Sequence, residues 1–128
     1  MVNMIADGPG DASGELADLF KVLAHPTRLA ILEILRDGEE CVCHMVAVLG
    51  LRQAYVSQQL MVLRQAGLVI DRRDGWNIYY HVIRPEVYGV LDAARAMVDG
   101  QEQAAPGVIL PRRSDACPCP KCQAEATR

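Results

Sequence analysis

The sequence has 128 residues, of which 51% are hydrophobic and 23% charged, so its size and composition are those of one soluble folded domain. It opens without the basic segment and apolar run of a signal peptide and contains no run of about 18 uncharged apolar residues, so we expect a cytoplasmic protein with no membrane span. The net charge of −3 does not exclude a nucleic-acid partner, because residues 51–84 contain five arginines and two aspartates, a local charge of +3 that leaves −6 for the rest of the chain.

Two amphipathic helices open the predicted domain. The first, SGELADLFKVLA, has Ser13 as its expected N-cap and an apolar stripe at helical spacing. The stripe consists of Leu16, Leu19, Phe20 and Leu23. The second, HPTRLAILEILRDG, begins with a proline suited to a first helical turn, is apolar on most sides and ends at Gly38, so we expect it to be the buried central helix. His25, directly before this proline, is predicted to have a structural role.

The next two helices predict a helix-turn-helix. The third helix, MVAVLG, ends at Gly50, and the fourth, RQAYVSQQLMVLRQAG, ends at Gly67. The fourth keeps Val56, Leu60 and Leu63 on one face. Its remaining surface carries amides, a phenol, a hydroxyl and a cation, as expected of a recognition helix that contacts DNA bases and phosphates. These candidate DNA-binding residues are Gln53, Tyr55, Ser57, Gln58 and Arg64.

The stretch LVIDRRDGWNIYYHVI predicts a β-hairpin that follows the helix-turn-helix. Asp74-Gly75 is a strong signal for a two-residue turn. Beyond it, two sets of residues alternate along the second strand. They are Trp76, Ile78, Tyr80 and Val82 on one side, and Asn77, Tyr79 and His81 on the other. A hairpin in this position predicts the wing of a winged helix-turn-helix.

The sequence suggests a role in DNA contact or in packing for five side chains of this wing. Arg72 and Arg73 lie beside the turn and are candidates for phosphate contacts. Tyr79 and Tyr80 are predicted to pack the wing rather than to read bases. Trp76 is predicted to anchor the hairpin, because a protein that reads duplex DNA has no unpaired base on which an indole could stack.

PEVYGVLDAARAMV predicts a last helix with Pro85 at its start. Its apolar stripe is Val87, Val90, Leu91, Ala94, Met97 and Val98. From Gly100 the chain has four prolines and no periodicity. We therefore expect a flexible N-terminal arm over 1–14, a domain over 15–99 and a flexible, cysteine-containing tail over 100–128. The exposed stripes of the first and last helices predict a homodimer.

Four stretches of the chain together resemble the ArsR/SmtB family of metal- and metalloid-responsive bacterial repressors. They are LADLFKVLAHPTRLAILEIL, CVC ahead of the helix-turn-helix, VSQQLMVLRQAGLV and DGWNIYYHV. The resemblance runs in order from about residue 15 to about residue 98. It implies a mainly α fold with a β-hairpin wing, a dimeric winged helix-turn-helix. It also implies binding to double-stranded operator DNA with an inverted repeat, and dissociation when an inducing ion binds.

The chain departs from the pattern of this family at three places. One subgroup binds Zn(II) between the last helices through histidine and carboxylate pairs, but the last helix here offers Glu86 and Asp92 without a histidine, so we expect no such site. The recognition helix, which in the family often starts with a hydroxyl residue, starts here with Arg52, a cation suited to a DNA phosphate. The cadmium- and lead-sensing subgroup supplies cysteines from the N-terminal arm, and this chain has none before Cys41.

Cys41 and Cys43 lie in the motif ECVCHM. Residues two apart on a helix point about 200° apart, so the two thiols can bind one ion only at or before the first turn of the third helix. There the helix dipole and the backbone N–H groups favour the thiolate, which is the form that binds metal. Metal ligation is the interpretation we favour, with buried hydrophobic packing and a redox role as alternatives. His44 is either a further ligand or an exposed or helix-capping residue.

The tail contributes three more thiols, Cys117, Cys119 and Cys122, in a spacing that suits a soft-metal clamp. As(III) takes three thiolates and Cd(II), Pb(II) or Zn(II) three or four, so Cys41 and Cys43 need further donors. The roughly 18 residues before the tail motif span up to about 60 Å, so the tail can complete the site in either subunit or form a separate one.

The sequence favours a repressor without organic cofactor over two other classes of protein. A repressor on the same scaffold that senses thiol oxidation or persulfides is the alternative, because cysteines without histidine ligands are equally suited to it. An enzyme is not expected, since no motif supplies a nucleophile with a placed base, a phosphate-binding loop or a cleft with two carboxylates.

Overall fold

The computed structural model describes residues 11–99, which contain five α-helices and a small antiparallel sheet. The helices are α1 (Asp11–Leu23), α2 (Pro26–Ile34), α3 (Val42–Leu49), α4 (Gln53–Gln65) and α5 (Glu86–Asp99). The strands are β1 (Glu40–Cys41), β2 (Val69–Asp74) and β3 (Asn77–Val82). This is the predicted mainly helical fold with a hairpin wing. The predicted N-terminal arm lies mostly, and the tail wholly, outside the described residues.

The hydrophobic core forms around α2 and α4. Ile31 and Leu32 of α2 are fully buried, which confirms that α2 is the central helix. Val56, Leu60 and Leu63 of α4 are fully buried beside them, as their spacing predicts. Burial of each such side chain contributes about 1.5–3 kcal/mol, so this face fixes α4 firmly and leaves its polar face outside.

Several ends of the helices follow the sequence signals. Gly50 and Gly67 adopt left-handed backbone angles, with φ of 67° and 79°, and stop α3 and α4 where expected. His25 is the N-cap of α2, and its Nδ1 accepts a hydrogen bond from the Thr27 amide. The predicted N-cap of α1 is wrong, because α1 begins at Asp11 and Ser13 therefore lies inside the helix.

The sheet has the order β1-β3-β2, and it ties the wing to the segment that carries the thiols. Cys41 of β1 pairs with Tyr79 of β3. In the hairpin, Asp74 pairs with Asn77, so the two loop residues are Gly75 and Trp76. The predicted turn is therefore wrong by one residue. Gly75, with φ of 63°, takes the first loop position, where a type II′ turn requires a positive φ and therefore favours glycine.

α5 packs on the core by half of its apolar stripe. Val87 and Leu91 are buried, whereas Met97 is 83% and Val98 84% exposed. Tyr88 fastens α5 to α2, because its hydroxyl donates a hydrogen bond of 2.6 Å to the Leu32 carbonyl. Among the described helices, none is long and apolar enough to cross a membrane.

Candidate functional site

Cys41 is the N-cap of α3. Its backbone is extended, with φ of −84° and ψ of 158°, and its Sγ accepts a hydrogen bond of 3.2 Å from the His44 amide. Cys43 follows two residues later in the first turn and is half-buried. Both thiols therefore lie at the helix N-terminus, as the two-residue spacing requires. At a helix N-terminus in general, backbone N–H groups and the helix dipole favour negative charge on a nearby sulfur.

The surroundings of Cys41 are apolar. Only 1% of Cys41 is exposed, and it packs with Tyr79, against which Cys43 and Ala47 also lie. His44 is 2% exposed, so the expectation of an exposed histidine is wrong. α3 starts at Val42, earlier than the apolar run suggests, and this turns the His44 ring toward the interior.

The donors in this region are too few for a complete metal site. Among residues 11–99, no three histidine, cysteine, aspartate or glutamate side chains are grouped so that they could hold a metal ion. Cys41 and Cys43 provide two thiols, so a metal site that used both of them would need further donors from elsewhere. The tail thiols Cys117, Cys119 and Cys122 lie outside the described residues.

The wing is connected to the thiol segment through Arg72. Its guanidinium donates two hydrogen bonds, of 3.0 and 2.8 Å, to the carboxylate of Glu39, which directly precedes β1. It also lies 4.7 Å from the centre of the Tyr79 ring. The hydrogen bond to Glu39 is the main cause that raises the pKa of Arg72 above its ordinary value. Sequence reasoning did not find Glu39, because a contact between residues 33 positions apart leaves no local pattern.

The polar face of α4 is available for DNA. All five of its predicted DNA-binding residues are exposed: Gln53, Tyr55, Ser57, Gln58 and Arg64. Arg52 is the N-cap, and its side chain makes no capping hydrogen bond, which leaves the guanidinium exposed at the helix start. Arg64 pairs with Asp71 at 3.3 Å, and the Tyr55 hydroxyl is 3.4 Å from Nε2 of His25. These two contacts orient the ends of the polar face.

The wing differs from expectation at its tip. Tyr79 and Tyr80 are buried, as predicted. Trp76 is 99% exposed, so the prediction that it anchors the hairpin is wrong. It occupies the second loop position, beyond the last paired residues, where no neighbouring strand covers it. A cleft of about 390 Å³ runs from this tip to Cys43.

Arginines and carboxylates form an ion-pair network that includes α5. This is the last helix, where one subgroup of the ArsR/SmtB family binds Zn(II). Asp92 is held by Arg36 at 2.9 Å and lies 3.8 Å from Arg95. Glu33 pairs with the same two arginines, at 2.9 and 3.3 Å. The pKa values of Glu33 and Asp92 are both lowered, mainly because each carboxylate accepts hydrogen bonds from Arg36. Both carboxylates are therefore ion-paired with arginine.

Comparison with known proteins gives a consistent result. Residues 25–71 match the sequence profile of the bacterial regulatory proteins of the ArsR family. The arsenic resistance transcriptional regulator ArsR1 of Pseudomonas putida is 41% identical over 87 residues, which cover 66% of this chain and 67% of that protein. The crystal structure of Mycobacterium tuberculosis Rv0081 has a TM-score of 0.64 at 37% identity, over 71% of this chain and 92% of the other. The homodimeric winged helix-turn-helix DNA-binding domain of Mb0332 from Mycobacterium bovis has a TM-score of 0.62 at 27% identity, over 77% of this chain and 98% of that domain.

Proposed function

Because the chain belongs to the ArsR family of bacterial regulatory proteins, we propose that it is a cytoplasmic transcriptional repressor that binds double-stranded operator DNA as a homodimer and dissociates when a soft thiophilic ion binds its cysteines. The inducer is As(III), Cd(II), Pb(II) or Zn(II). The observation that carries the proposal is the position of Cys41, which caps the first helix of the helix-turn-helix and also pairs with strand β3 of the wing.

The DNA-binding part of the proposal is supported by α4. Its apolar face is fixed in the core, so its polar face has a defined orientation. Gln53, Ser57 and Gln58 can reach base edges in the major groove, where amide side chains recognise adenine by paired hydrogen bonds. Arg52, Arg64, Arg72 and Arg73 supply cations for the phosphates on either side. An interface of this kind accounts for the basic central region of an acidic chain.

The homodimer is supported by the apolar surface of α1 and α5. A cavity of about 460 Å³ lies between these helices and α2. Phe20, Val90 and Val98 are among the residues that line it. Met97 and Val98 leave most of their side chains exposed in the single chain. A second copy covers this surface by two-fold symmetry, and two linked recognition helices then meet successive major grooves about 34–36 Å apart on an inverted repeat.

The link between ion binding and release is supported by the contacts of Cys41. Its buried sulfur already accepts the His44 amide, so a sulfur that becomes an ion ligand alters the cap of α3, the pairing with Tyr79, or both. The hydrogen bond between Arg72 and Glu39 connects the same segment to the wing. An inducer must bind the DNA-incompetent conformation more tightly by several kcal/mol, and ligands within the moving segment supply such a difference.

The remaining donors are assigned to the tail. Two thiols do not satisfy As(III), which takes three, or Cd(II) and Pb(II), which take three or four. We assign the missing donors to Cys117, Cys119 and Cys122, from the same subunit or from its partner. The tail then sets affinity and ion preference, while Cys41 and Cys43 convert binding into release.

The proposal is tested by titration of the reduced protein with Cd(II) and As(III). Bound duplexes are first enriched from a randomised pool, and we expect an inverted repeat. Thiolate-to-metal absorption and binding to the enriched duplex are then followed in one titration. We expect both signals to change at the same ion concentration. Release by an oxidant or a persulfide donor, with no response to either ion, would instead support the thiol-sensing alternative.

A further inference from the structure

We propose that Trp76 is a DNA-contacting residue, whose indole lies against the sugar-phosphate walls of the minor groove next to the major groove that α4 reads. This inference rests on the proposed function, since it assumes that the chain binds duplex DNA. It assigns to the wing tip a contact that the arginines of the wing do not supply, one between an apolar ring and deoxyribose.

The first argument is the exposure of the side chain. Trp76 is 99% exposed, although indole is among the largest apolar groups and is highly buried on average in folded proteins. It adds nothing to the packing of the hairpin, which closes by the pairing of Asp74 with Asn77. An aromatic side chain held at a tight turn, with no structural contact to make, is suited to contact a partner.

The second argument is its position relative to the recognition helix. Trp76 and Asn77 border the same cleft of about 390 Å³ as Gln53 and Ser57. Cys43 and other residues of α3 also line this cleft. The wing tip and the N-terminal half of α4 therefore face one side of the molecule. When α4 lies in the major groove of a duplex, the sugar-phosphate strand that borders this groove runs past the wing tip.

The third argument is the charge around the tip. Arg73 is exposed on β2, and Arg72 is exposed beside it. Asp74 at the tip lies 4.0 Å from Arg72, whose guanidinium also binds Glu39 at 2.8 Å, so Arg73 is the cation that we assign to a phosphate here. The tip therefore tolerates a phosphate backbone at close range. Nearby cations attract the strand, and the indole then packs against it.

The chemistry of indole fits this contact without any unpaired base. Its flat apolar face packs on deoxyribose, and its N–H can donate a hydrogen bond to a phosphate or ring oxygen. Since sugar and phosphate are the same for every base, this contact depends on the shape of the groove more than on base identity. Trp76 then contributes affinity for duplexes of all sequences, in contrast to the amides of α4.

The chain offers a direct spectroscopic test, because Trp76 is its only tryptophan. Emission of the full-length dimer is recorded with an enriched duplex and with a random duplex of equal length. We expect a shift to shorter wavelength and less quenching by acrylamide on both. Trp76→Ala should weaken binding to both duplexes by a similar factor, roughly 5- to 50-fold, and Trp76→Phe should restore part of the loss.

Ile70→Ala is the matched control, because Ile70 is an exposed apolar residue at the other end of strand β2. We expect it to bind both duplexes like the wild type. Unchanged emission together with unchanged binding of Trp76→Ala overturns the inference and leaves the proposed function standing. A loss confined to one sequence overturns the sugar-phosphate contact. If the wild type binds neither duplex, the proposed function fails as well.

Discussion

The thiol of Cys41 and the backbone amide of His44 are joined by a hydrogen bond of 3.2 Å that caps α3. Sulfur is a weak acceptor, and serine, threonine, aspartate and asparagine are the preferred N-caps. A cysteine in this position therefore stabilises the helix less than a serine would. It also places a soft ligand at the entrance to the DNA-reading unit, which is the property that the proposed inducer requires.

Cys41→Ser should separate capping from ion sensing. The serine hydroxyl can accept the same amide, so we expect the free energy of unfolding to change by less than about 1 kcal/mol and DNA binding to persist. Release by ions should be abolished, since oxygen replaces the thiolate. Cys43→Ser should likewise bind DNA and fail to respond. Urea unfolding, duplex binding and ion titration measure the three properties.

The matched variant is Cys41→Ala, which lacks a capping atom and should lose about 1 kcal/mol of stability relative to Cys41→Ser. The double serine variant at Cys41 and Cys43 is decisive for the site. If it leaves DNA at the same ion concentration as the wild type, the regulatory ligands lie in the tail and the role assigned to Cys41 is wrong.

Replacement of Cys117, Cys119 and Cys122 by serine should lower ion affinity or change ion preference without preventing induction. The tail thiols complete the donor set in this proposal, whereas the ligands that move with α3 remain in place. Release should therefore occur at higher ion concentration. Competition with a chelator of known affinity measures the change. Identical ion affinity and selectivity in the triple variant and the wild type would show that the tail thiols are not ligands.

The helices of this fold are predictable from sequence because their signals are local. Val56, Leu60 and Leu63 repeat with helical spacing, and the glycines that end α3 and α4 take left-handed angles. The same local patterns place both thiols at the first turn of α3, which the structure confirms.

The parts that sequence did not predict depend on distant contacts or on very short elements. Strand β1 has two residues, too few for any alternation, and its pairing partner Tyr79 is far along the chain. The bond between Glu39 and Arg72 is also long-range. Trp76 continues the alternation of β3 and so resembles a packed residue, but the turn lies one position later than the aspartate-glycine signal suggests. Alternation predicts which face a residue takes, not whether anything covers that face.

Gln58→Ala and Arg73→Ala should affect DNA binding differently. Loss of a paired amide contact to a base should lower the preference for the enriched duplex over random DNA by about 1–3 kcal/mol. Loss of Arg73 should weaken binding to all duplexes and reduce the slope of affinity against salt by about one ion. Arg72→Ala should do the same but also removes the bond to Glu39, so Arg73 gives the cleaner result.

Gln65→Ala provides the control for Gln58, because it is an exposed glutamine at the C-terminal end of the same helix. Recognition helices contact bases mainly through their N-terminal residues, so this variant should keep full specificity. Fluorescence anisotropy at several salt concentrations distinguishes the variants. Equal losses on specific and random DNA for Gln58→Ala would rule out α4 as the base-reading helix in the orientation described.

Met97→Glu should dissociate the dimer. Met97 is 83% exposed in the single chain and lies on the apolar stripe of α5 that we assign to the interface. A carboxylate buried there without a partner costs several kcal/mol, so the dimer should weaken by at least about tenfold and DNA affinity should fall with it. Ala96→Glu, on the opposite side of α5, should leave the dimer intact. Sedimentation at micromolar concentration decides, and a monomeric wild type would contradict the assignment.

Glu33→Gln should make the protein less sensitive to acid. Hydrogen bonds and charges from Arg36 and Arg95 lower the pKa of Glu33 below its ordinary value of 4.5, and this outweighs the opposing effect of burial. A carboxyl group whose pKa is lower in the folded state stabilises the fold fully above its unfolded pKa, and this contribution is lost as the pH falls through the folded pKa. The wild type should therefore lose stability more steeply than Glu33→Gln below about pH 4.5, while the variant should be the less stable of the two at neutral pH. Urea unfolding between neutral pH and about pH 3 measures both differences.

Glu15→Gln, at an exposed position of α1, is the control and should follow the wild-type curve. Parallel curves for the wild type and Glu33→Gln over the whole range would show that the arginine network does not couple α2 and α5 to pH.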